Sequence, residues 1–146
     1  MPTIRPIEPS DRAEWGRLWT GYLEYYETVL PPAIYDTAFA RLTSGHPAMH
    51  GLIGEADGQP MGLVHYIFHD HFWRPEGVVY LQDLFVDPRA RGTGLGRALI
   101  EAVYAAADKA GRPTVYWMTQ DFNATARKLY DRVGSLSPFI KYNRPS

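Results

Sequence analysis

The chain contains no cysteine. Disulfides, thiolate metal sites and a cysteine nucleophile are thereby excluded, and a small domain without disulfides is expected in the cytoplasm. Charge of one sign is also lacking: 15 Lys and Arg stand against 16 Asp and Glu, for a net charge of −1. A general nucleic-acid binder carries a basic excess, so no nucleic-acid partner is expected. No apolar run approaches the roughly 20 residues of a membrane helix, and Met1–Pro6 lacks the apolar stretch of a signal peptide; no membrane partner is expected either. Repeats, low-complexity tracts and linkers are missing, so the 146 residues read as a single domain, 1–146. Aromatic residues, by contrast, are plentiful: they make up 14% of the chain, with ten Tyr and four Trp.

Hydrophobic periodicity gives an alternation of strands and helices. Thr3–Ile7 reads as a short strand, placed at an edge by Pro6. Asp11 and Glu14 have capping-box spacing, and Trp15, Leu18, Trp19, Tyr22, Leu23 and Tyr26 form one helical face that ends at Pro31-Pro32. A second helix is predicted over Ala33–Leu42. Leu52–Ala56, Met61–Phe68 and Gly77–Val86 read as three strands of an antiparallel meander, joined by short turns such as Asp57-Gly58. Leu95, Leu99, Ala102, Val103 and Ala106 share a helix face. The run Thr114–Met118 is apolar enough for a strand buried on both faces. Asn123 is placed to cap a last helix carrying Ala126, Leu129, Tyr130 and Val133, and Phe139–Tyr142 is predicted as a sixth strand. The order is β-α-α-β-β-β-α-β-α-β, an α+β fold with a mixed, mostly antiparallel sheet. The crossover through Gly94–Met118 makes its two flanking strands parallel.

The segment Arg89-Ala90-Arg91-Gly92-Thr93-Gly94-Leu95-Gly96 lies between a strand and a strong helix. Glycines allow positive φ and close approach of backbone to a ligand, and the free N–H groups of a first helical turn attract anions. Arg89 and Arg91 add positive charge. The turn suits a phosphate or pyrophosphate. The residues Arg97-Ala98 after Gly96 do not fit a Walker loop, and the glycine spacing does not fit a dinucleotide fingerprint.

Arg91-Gly92-Thr93-Gly94-Leu95-Gly96 resembles the Arg/Gln-x-x-Gly-x-Gly/Ala signature of acetyl-coenzyme A binding in the GNAT family of N-acetyltransferases. Tyr80–Pro88 resembles that family's fourth strand, Asn123–Tyr130 followed by Gly134 its coenzyme-side helix, and Ile4–Asp11 its opening. Tyr-Leu-x-Asp-Leu-Phe-Val is most similar to the polyamine (spermidine/spermine) and fungal histone/amino-acid acetyltransferase branch. The resemblance implies a GNAT fold splayed between strands 4 and 5. It implies acetyl-CoA as co-substrate and no metal, with the pantetheine arm along Leu84, Phe85 and Val86. The pyrophosphate would lie on Arg91, Gly92, Thr93, Gly94, Leu95 and Gly96, and Asn123 would reach the pantetheine or the chain after the fifth strand. Tyr130 stands at the family's general-acid position. A homodimer is implied as well.

Acetyl transfer to an amine needs a neutral amine, a held oxyanion and a proton for the departing thiolate. Freeing a lysine-like amine at pH 7 costs about 4–5 kcal/mol, so some group must take its proton. The polyamine branch carries Glu-Asp where this chain has Gln82-Asp83. Gln82 cannot act as a base, but it can orient a water or bind substrate. Asp83 is the nearest carboxylate, and strand alternation points it away from Gln82. The catalytic candidates are therefore Tyr130, Gln82 and Asp83. Tyr26, Glu27, Trp73 and Gln82 are the candidates for binding the acceptor, as aromatic faces and a carboxylate suited to a cationic amine. His65, His69 and His71 share one strand parity; a base or acceptor-binding role for one of them is the functional alternative to simple packing. The expected reaction is acetyl transfer to a primary amine of a small molecule by direct attack in a ternary complex. A protein lysine or N-terminal acceptor and a non-catalytic coenzyme A-binding module are the alternatives.

Overall fold

The computed structural model describes residues 2–146. Five strands run in the order β1 (Thr3–Pro6), β2 (Met49–Ala56), β3 (Gln59–His71), β4 (Arg74–Val86) and β5 (Val115–Tyr116) across one sheet. The first four are antiparallel neighbours and β5 is parallel to β4. Helices α1 (Arg12–Tyr25) and α2 (Pro32–Thr43) follow β1, α3 (Leu95–Lys109) joins β4 to β5, and α4 (Ala124–Val133) follows β5.

Two cores lie on opposite faces of the sheet, as a three-layer arrangement requires. On one face, Trp15, Leu18, Trp19 and Leu23 of α1 pack on Ile53 and Leu63. On the other, Leu95, Leu99, Ile100 and Val103 of α3 pack on Val64, Tyr66, Val79 and Leu81. A Cβ at Gly21 would come 2.6 Å from the Phe85 ring, so α1 lies flush on β4 there.

Two irregularities shape the site. Between β3 and β4, His65 pairs with Asp83 and Tyr66 with Leu81, which leaves Gln82 as an extra, bulged residue. Between β4 and β5, pairing is confined to Val79–Val115 and Tyr80–Tyr116. From Leu81 to Val86 the β5 side of β4 has no strand partner, which is the expected splay.

Several expectations are corrected. Asp11 does not form a box with Glu14; its carboxylate accepts from the Glu8 amide at 2.7 Å and from Arg5 at 2.8 and 2.9 Å, tying the end of β1 to α1. Thr114–Met118 is not buried on both faces: β5 is two residues long at the sheet edge, and Tyr116 and Met118 are exposed. The sixth strand, Phe139–Tyr142, does not form; those residues are extended and exposed, because no second strand within the chain offers them a ladder.

Candidate active site

The glycine turn begins where β4 ends. Asp87 is buried and accepts from the Arg89 amide at 2.9 Å, from Arg89 Nε and Nη2 at 3.1 and 3.0 Å, and from Arg17 Nη1 of α1 at 2.8 Å. The Arg89 guanidinium, then that of Arg17, holds the Asp87 carboxyl well below the usual carboxylate range. Arg89 is thus committed to Asp87 and is not a free cation for a ligand. Arg91 is placed differently: Nε donates to the Val86 carbonyl at 3.2 Å, and its guanidinium stands 5.9 Å over the Phe85 ring.

Gly92 and Gly94 hold φ of +79° and +85°, and a Cβ at either would meet nothing within 4 Å. The turn is therefore left-handed and open, a cradle rather than a packed corner. Gly94 caps α3, and its carbonyl accepts from Ala98 N at 3.0 Å. The amides of Leu95, Gly96 and Arg97 in the first helical turn have no carbonyl four residues back within α3, and they point toward the positive end of the helix dipole. Thr93 Oγ1 donates to the Ala90 carbonyl and braces the turn. Gly96 serves another purpose. A Cβ there would sit 3.3 Å from Leu129 Cδ2, so this glycine lets α4 close on α3.

Asn123 Oδ1 accepts from Ala126 N at 3.4 Å and caps α4, as its position in the sequence suggests. Tyr104 Oη donates to the Val133 carbonyl at 2.6 Å and pins α4 to α3. Tyr130 leans on Trp117, with ring centroids 5.6 Å apart. Burial, then the nearby Tyr26 and Tyr25 hydroxyls, push the Tyr130 hydroxyl up to about 12. It is a protonated phenol at neutral pH.

The bulge decides which side chains of β4 share a cavity. Simple alternation would place Gln82 and Asp83 on opposite faces. With Gln82 as the extra residue, the pattern is broken, and both line one cavity of about 140 Å³ together with Trp19, Ala38, Leu42, His50, His65 and Ile67. Asp83 is 7% exposed. Its Oδ2 is 2.8 Å from His65 Nδ1 and accepts from Trp19 Nε1 at 3.3 Å. Tyr22 stands beside the same carboxylate; burial and then the Asp83 charge raise its hydroxyl above the ordinary tyrosine range. Burial, Tyr25 and Asp83 raise that of Tyr26. Tyr26 therefore lies within electrostatic reach of Asp83 on one side and Tyr130 on the other.

A second cavity, about 430 Å³, opens between α1 and the end of β4, lined by Arg17, Gly21, Glu24, Tyr25, Phe85, Asp87 and Arg91. It adjoins the glycine turn through Asp87 and Arg91.

The model of the acetyltransferase (GNAT) family matches residues 14–134 of the chain. A D-amino-acid N-acetyltransferase of Saccharomyces cerevisiae is 39% identical over 143 residues, covering 97% of this chain and 89% of that protein. The chain belongs to the GNAT acetyltransferase family. An aminoglycoside N(6')-acetyltransferase of Stenotrophomonas maltophilia is 34% identical over 116 residues, 75% of this chain and 70% of its own. Among solved structures, an aminoglycoside N-acetyltransferase in complex with CoA superimposes with a TM-score of 0.80 at 20% identity, over 99% of this chain and 95% of that one. This GNAT chain is an N-acetyltransferase, and its five-stranded sheet with a parallel β4–β5 pair is the GNAT fold.

Of the residues singled out in the sequence of this GNAT enzyme, the structure brings Leu84, Phe85 and Val86 to the unpaired stretch of β4, and Arg91 through Gly96 to the open turn. Gln82 and Asp83 line one cavity, Tyr26 lies within electrostatic reach of both Asp83 and Tyr130, and Tyr130 packs on Trp117. Two residues do not join them. Trp73, 83% exposed, occupies the tip of the β3–β4 hairpin beside His71. It lies ten residues before Asp83 on β4, which at a strand rise of about 3.3 Å per residue is roughly 30 Å away. Glu27 is exposed in the loop after α1 with φ of +52° and lines neither cavity; the neighbouring Glu24 does line the larger one. His69 is committed to Tyr116 Oη at 2.9 Å. Among the described residues, no group of three His, Asp or Glu side chains is arranged to hold a metal ion.

Arg17 escaped the sequence reading, and Tyr22 entered it only as one of the aromatics of the first helix. Tyr22 sits on the α1 face that reads as core, and Arg17 on the polar face. Only the tertiary contacts with Asp83 and Asp87, 61 and 70 positions away, give them a place in the site.

Proposed function

We propose that this enzyme transfers the acetyl group of acetyl-CoA to a primary amine of a small molecule, by direct attack of the amine in a ternary complex. The observation that carries the reading is the unpaired stretch of β4 from Leu81 to Val86, which runs from the buried carboxylate of Asp83 toward the open left-handed turn at Gly92 and Gly94. Acetyl-CoA supplies the acyl group as an activated thioester. The open left-handed turn at Gly92 and Gly94, the free amides at the start of α3 and the Arg91 guanidinium fit its phosphates. The unpaired backbone of Leu84–Val86 fits the amides of its arm, and an N–H there would polarise the thioester carbonyl.

The chain's own residues then have distinct tasks. Asp83 attracts the acceptor's ammonium and favours its approach in the cavity beside Gln82. Gln82 donates or accepts hydrogen bonds to the acceptor or to a water that carries its proton away. As the amine nitrogen bonds to the acyl carbon and the carbon–sulfur bond breaks, Tyr130 gives its proton to the sulfur. The identities of the relatives make amino acids of the D series and aminoglycosides the first acceptors to try.

Thiol release from acetyl-CoA, measured with D- and L-amino acids, spermidine, an aminoglycoside and a lysine-rich peptide, tests the proposal. Turnover with one of the small amines is expected. Turnover with the peptide alone would move the acceptor to protein lysines. Coenzyme A binding without turnover on any amine would make the chain a binding module instead.

A homodimer completes the reading. The open edge of β5 and, beyond α4 in the chain, the exposed Phe139, Ile140 and Tyr142 form an unpaired strand edge and an apolar segment, features that single chains rarely leave uncovered. Light scattering at the mass of one chain would overturn it.

A further inference from the structure

The buried pair His65–Asp83 is joined at its far end to a third residue, Trp15. The Trp15 indole donates from Nε1 to His65 Nε2 at 3.0 Å, and Trp15 itself is completely buried. An indole N–H can only donate, so His65 Nε2 must be the bare, accepting nitrogen. A neutral imidazole with Nε2 bare carries its proton on Nδ1, and Nδ1 faces Asp83 Oδ2 at 2.8 Å. Trp15 therefore writes the tautomer of His65, and His65 in turn donates to Asp83.

The consequence falls on Asp83. Its Oδ2 takes two N–H groups, from His65 and from Trp19. The Tyr22 hydroxyl stands against the same carboxylate. The carboxylate also lines the cavity that holds Gln82. One oxygen is anchored by two N–H groups, and the residue faces the cavity.

We propose that His65, set by Trp15, is a positioning residue that fixes Asp83 as the anionic anchor of the acceptor amine. The proposal rests on the acetyl-transfer reading above. His65 itself has no free nitrogen with which to take the amine's proton, since one is covered by Trp15 and the other by Asp83. It acts through the carboxylate. The three residues come from α1, β3 and β4, and the aromatic packing around them holds the relay: Trp15 stacks on Trp19 at 5.2 Å and meets Phe39 at a tilt, 5.1 Å between centroids.

The test uses the full chain with Trp15→Phe, His65→Phe and His65→Asn, acetyl-CoA, and D-alanine and spermidine as acceptors. His65→Phe keeps the ring and removes the N–H to Asp83; kcat/KM for the amine is expected to fall about 100-fold, the cost of a misplacement of about 1 Å, with the KM for acetyl-CoA unchanged. His65→Asn restores a side-chain N–H near the place of Nδ1 and should regain about tenfold of that loss. Trp15→Phe releases Nε2, and nitrogen NMR of the labelled protein at neutral pH should then show both tautomers, where the wild type shows Nδ1 alone protonated. This last readout does not depend on turnover or on the stability of the His65 variants. The proposal is overturned if the wild type carries its proton on Nε2. It is equally overturned if folded His65→Phe acetylates the amines at the wild-type kcat/KM. Lack of turnover by the wild type on every amine would remove the acetyl-transfer reading and this proposal with it, whereas active wild type with indifferent variants removes this proposal alone.

Discussion

The two sides of the site are built in different ways. The side proposed for the coenzyme is nearly continuous in sequence: the free stretch of β4, the turn and the first turn of α3 follow one another from Leu84 to Gly96. The side proposed for the acceptor is assembled from distant pieces. Its central carboxylate, Asp83, is held by His65 from 18 positions away and by Trp19 from 64, and His65 by Trp15 from 50. Local backbone conformation carries the first function, and tertiary hydrogen bonding carries the second. A turn that binds phosphate needs glycine, positive φ and free amides, all of which are local properties. A buried carboxylate needs partners that compensate its desolvation, and those come from wherever the fold brings them.

The comparison breaks most sharply at Asp83. Asp83→Asn removes the charge and leaves the His65 N–H facing a side chain that can turn its own NH₂ toward it. The acceptor kcat/KM should fall by about 100- to 1,000-fold, within the range of a positioned acid–base group, while coenzyme A binds as before. Initial-rate kinetics with each substrate varied in turn, and calorimetry with coenzyme A, separate the two effects. Equal losses for both substrates would show that the two sides are one unit.

Tyr130 stands at the joint between them. Its hydroxyl, pushed up to about 12 by burial and by Tyr26 and Tyr25, keeps its proton throughout the neutral range. Tyr130→Phe leaves the packing on Trp117 in place and should lower kcat by about 100-fold, with KM values for both substrates little changed. A drop in coenzyme A affinity of the same size would make Tyr130 a binding residue.

Legibility follows the same division. The helices, the antiparallel meander, the parallel crossover, the glycine turn and the Asn123 cap could all be read because each rests on a local period or a turn residue. The face of Asp83 could not, because a single extra residue at Gln82 reverses the alternation, and nothing in Tyr80-Leu81-Gln82-Asp83 announces a bulge. Trp73 was misjudged for a related reason. Aromatic content suggested a pocket wall, but β3 runs to His71 and β4 starts at Arg74, three and three residues beyond the expected ends, and this carries the hairpin tip away from the site. The sixth strand was predicted from composition; Phe139, Ile140 and Tyr142 are good strand formers, but strand formation needs a partner that the chain does not supply.

Two glycines of one motif sharpen the contrast on the coenzyme side. Gly94 has φ of +85° and open space around its Cβ position, whereas Gly96 is helical and faces Leu129 at 3.3 Å. Gly94→Ala forces an L side chain into the left-handed region at a cost of about 1–2 kcal/mol, and the turn should relax away from its binding shape; the KM for acetyl-CoA is expected to rise about tenfold. Gly96→Ala asks only that the end of a leucine side chain shift by a few tenths of an ångström. Its acetyl-CoA KM should stay near wild type, and a small loss in melting temperature should be the only mark. If the two variants behaved alike, the phosphate cradle would not depend on the left-handed turn.

The smallest effect is expected where the two sides are tied together. Asp87 takes Arg89 from the turn and Arg17 from α1, and so links the acceptor-side helix layer to the coenzyme turn. Asn in its place keeps one accepting oxygen and presents an NH₂ to a guanidinium, which should cost about 1–2 kcal/mol of stability at neutral pH. The pH dependence has a definite sign. The Asp87 carboxyl is held below its ordinary value in the folded chain, first by Arg89 and then by Arg17. Its contribution is therefore complete well above the unfolded carboxyl value of about 3.9 and is lost as pH falls below it, toward the lower folded value. Denaturation of wild type and Asp87→Asn should differ by the full amount at pH 7, and the difference should narrow below about pH 4. A gap that persisted unchanged in acid would mean that Asp87 holds the turn by its backbone hydrogen bond to Arg89 and not by its charge.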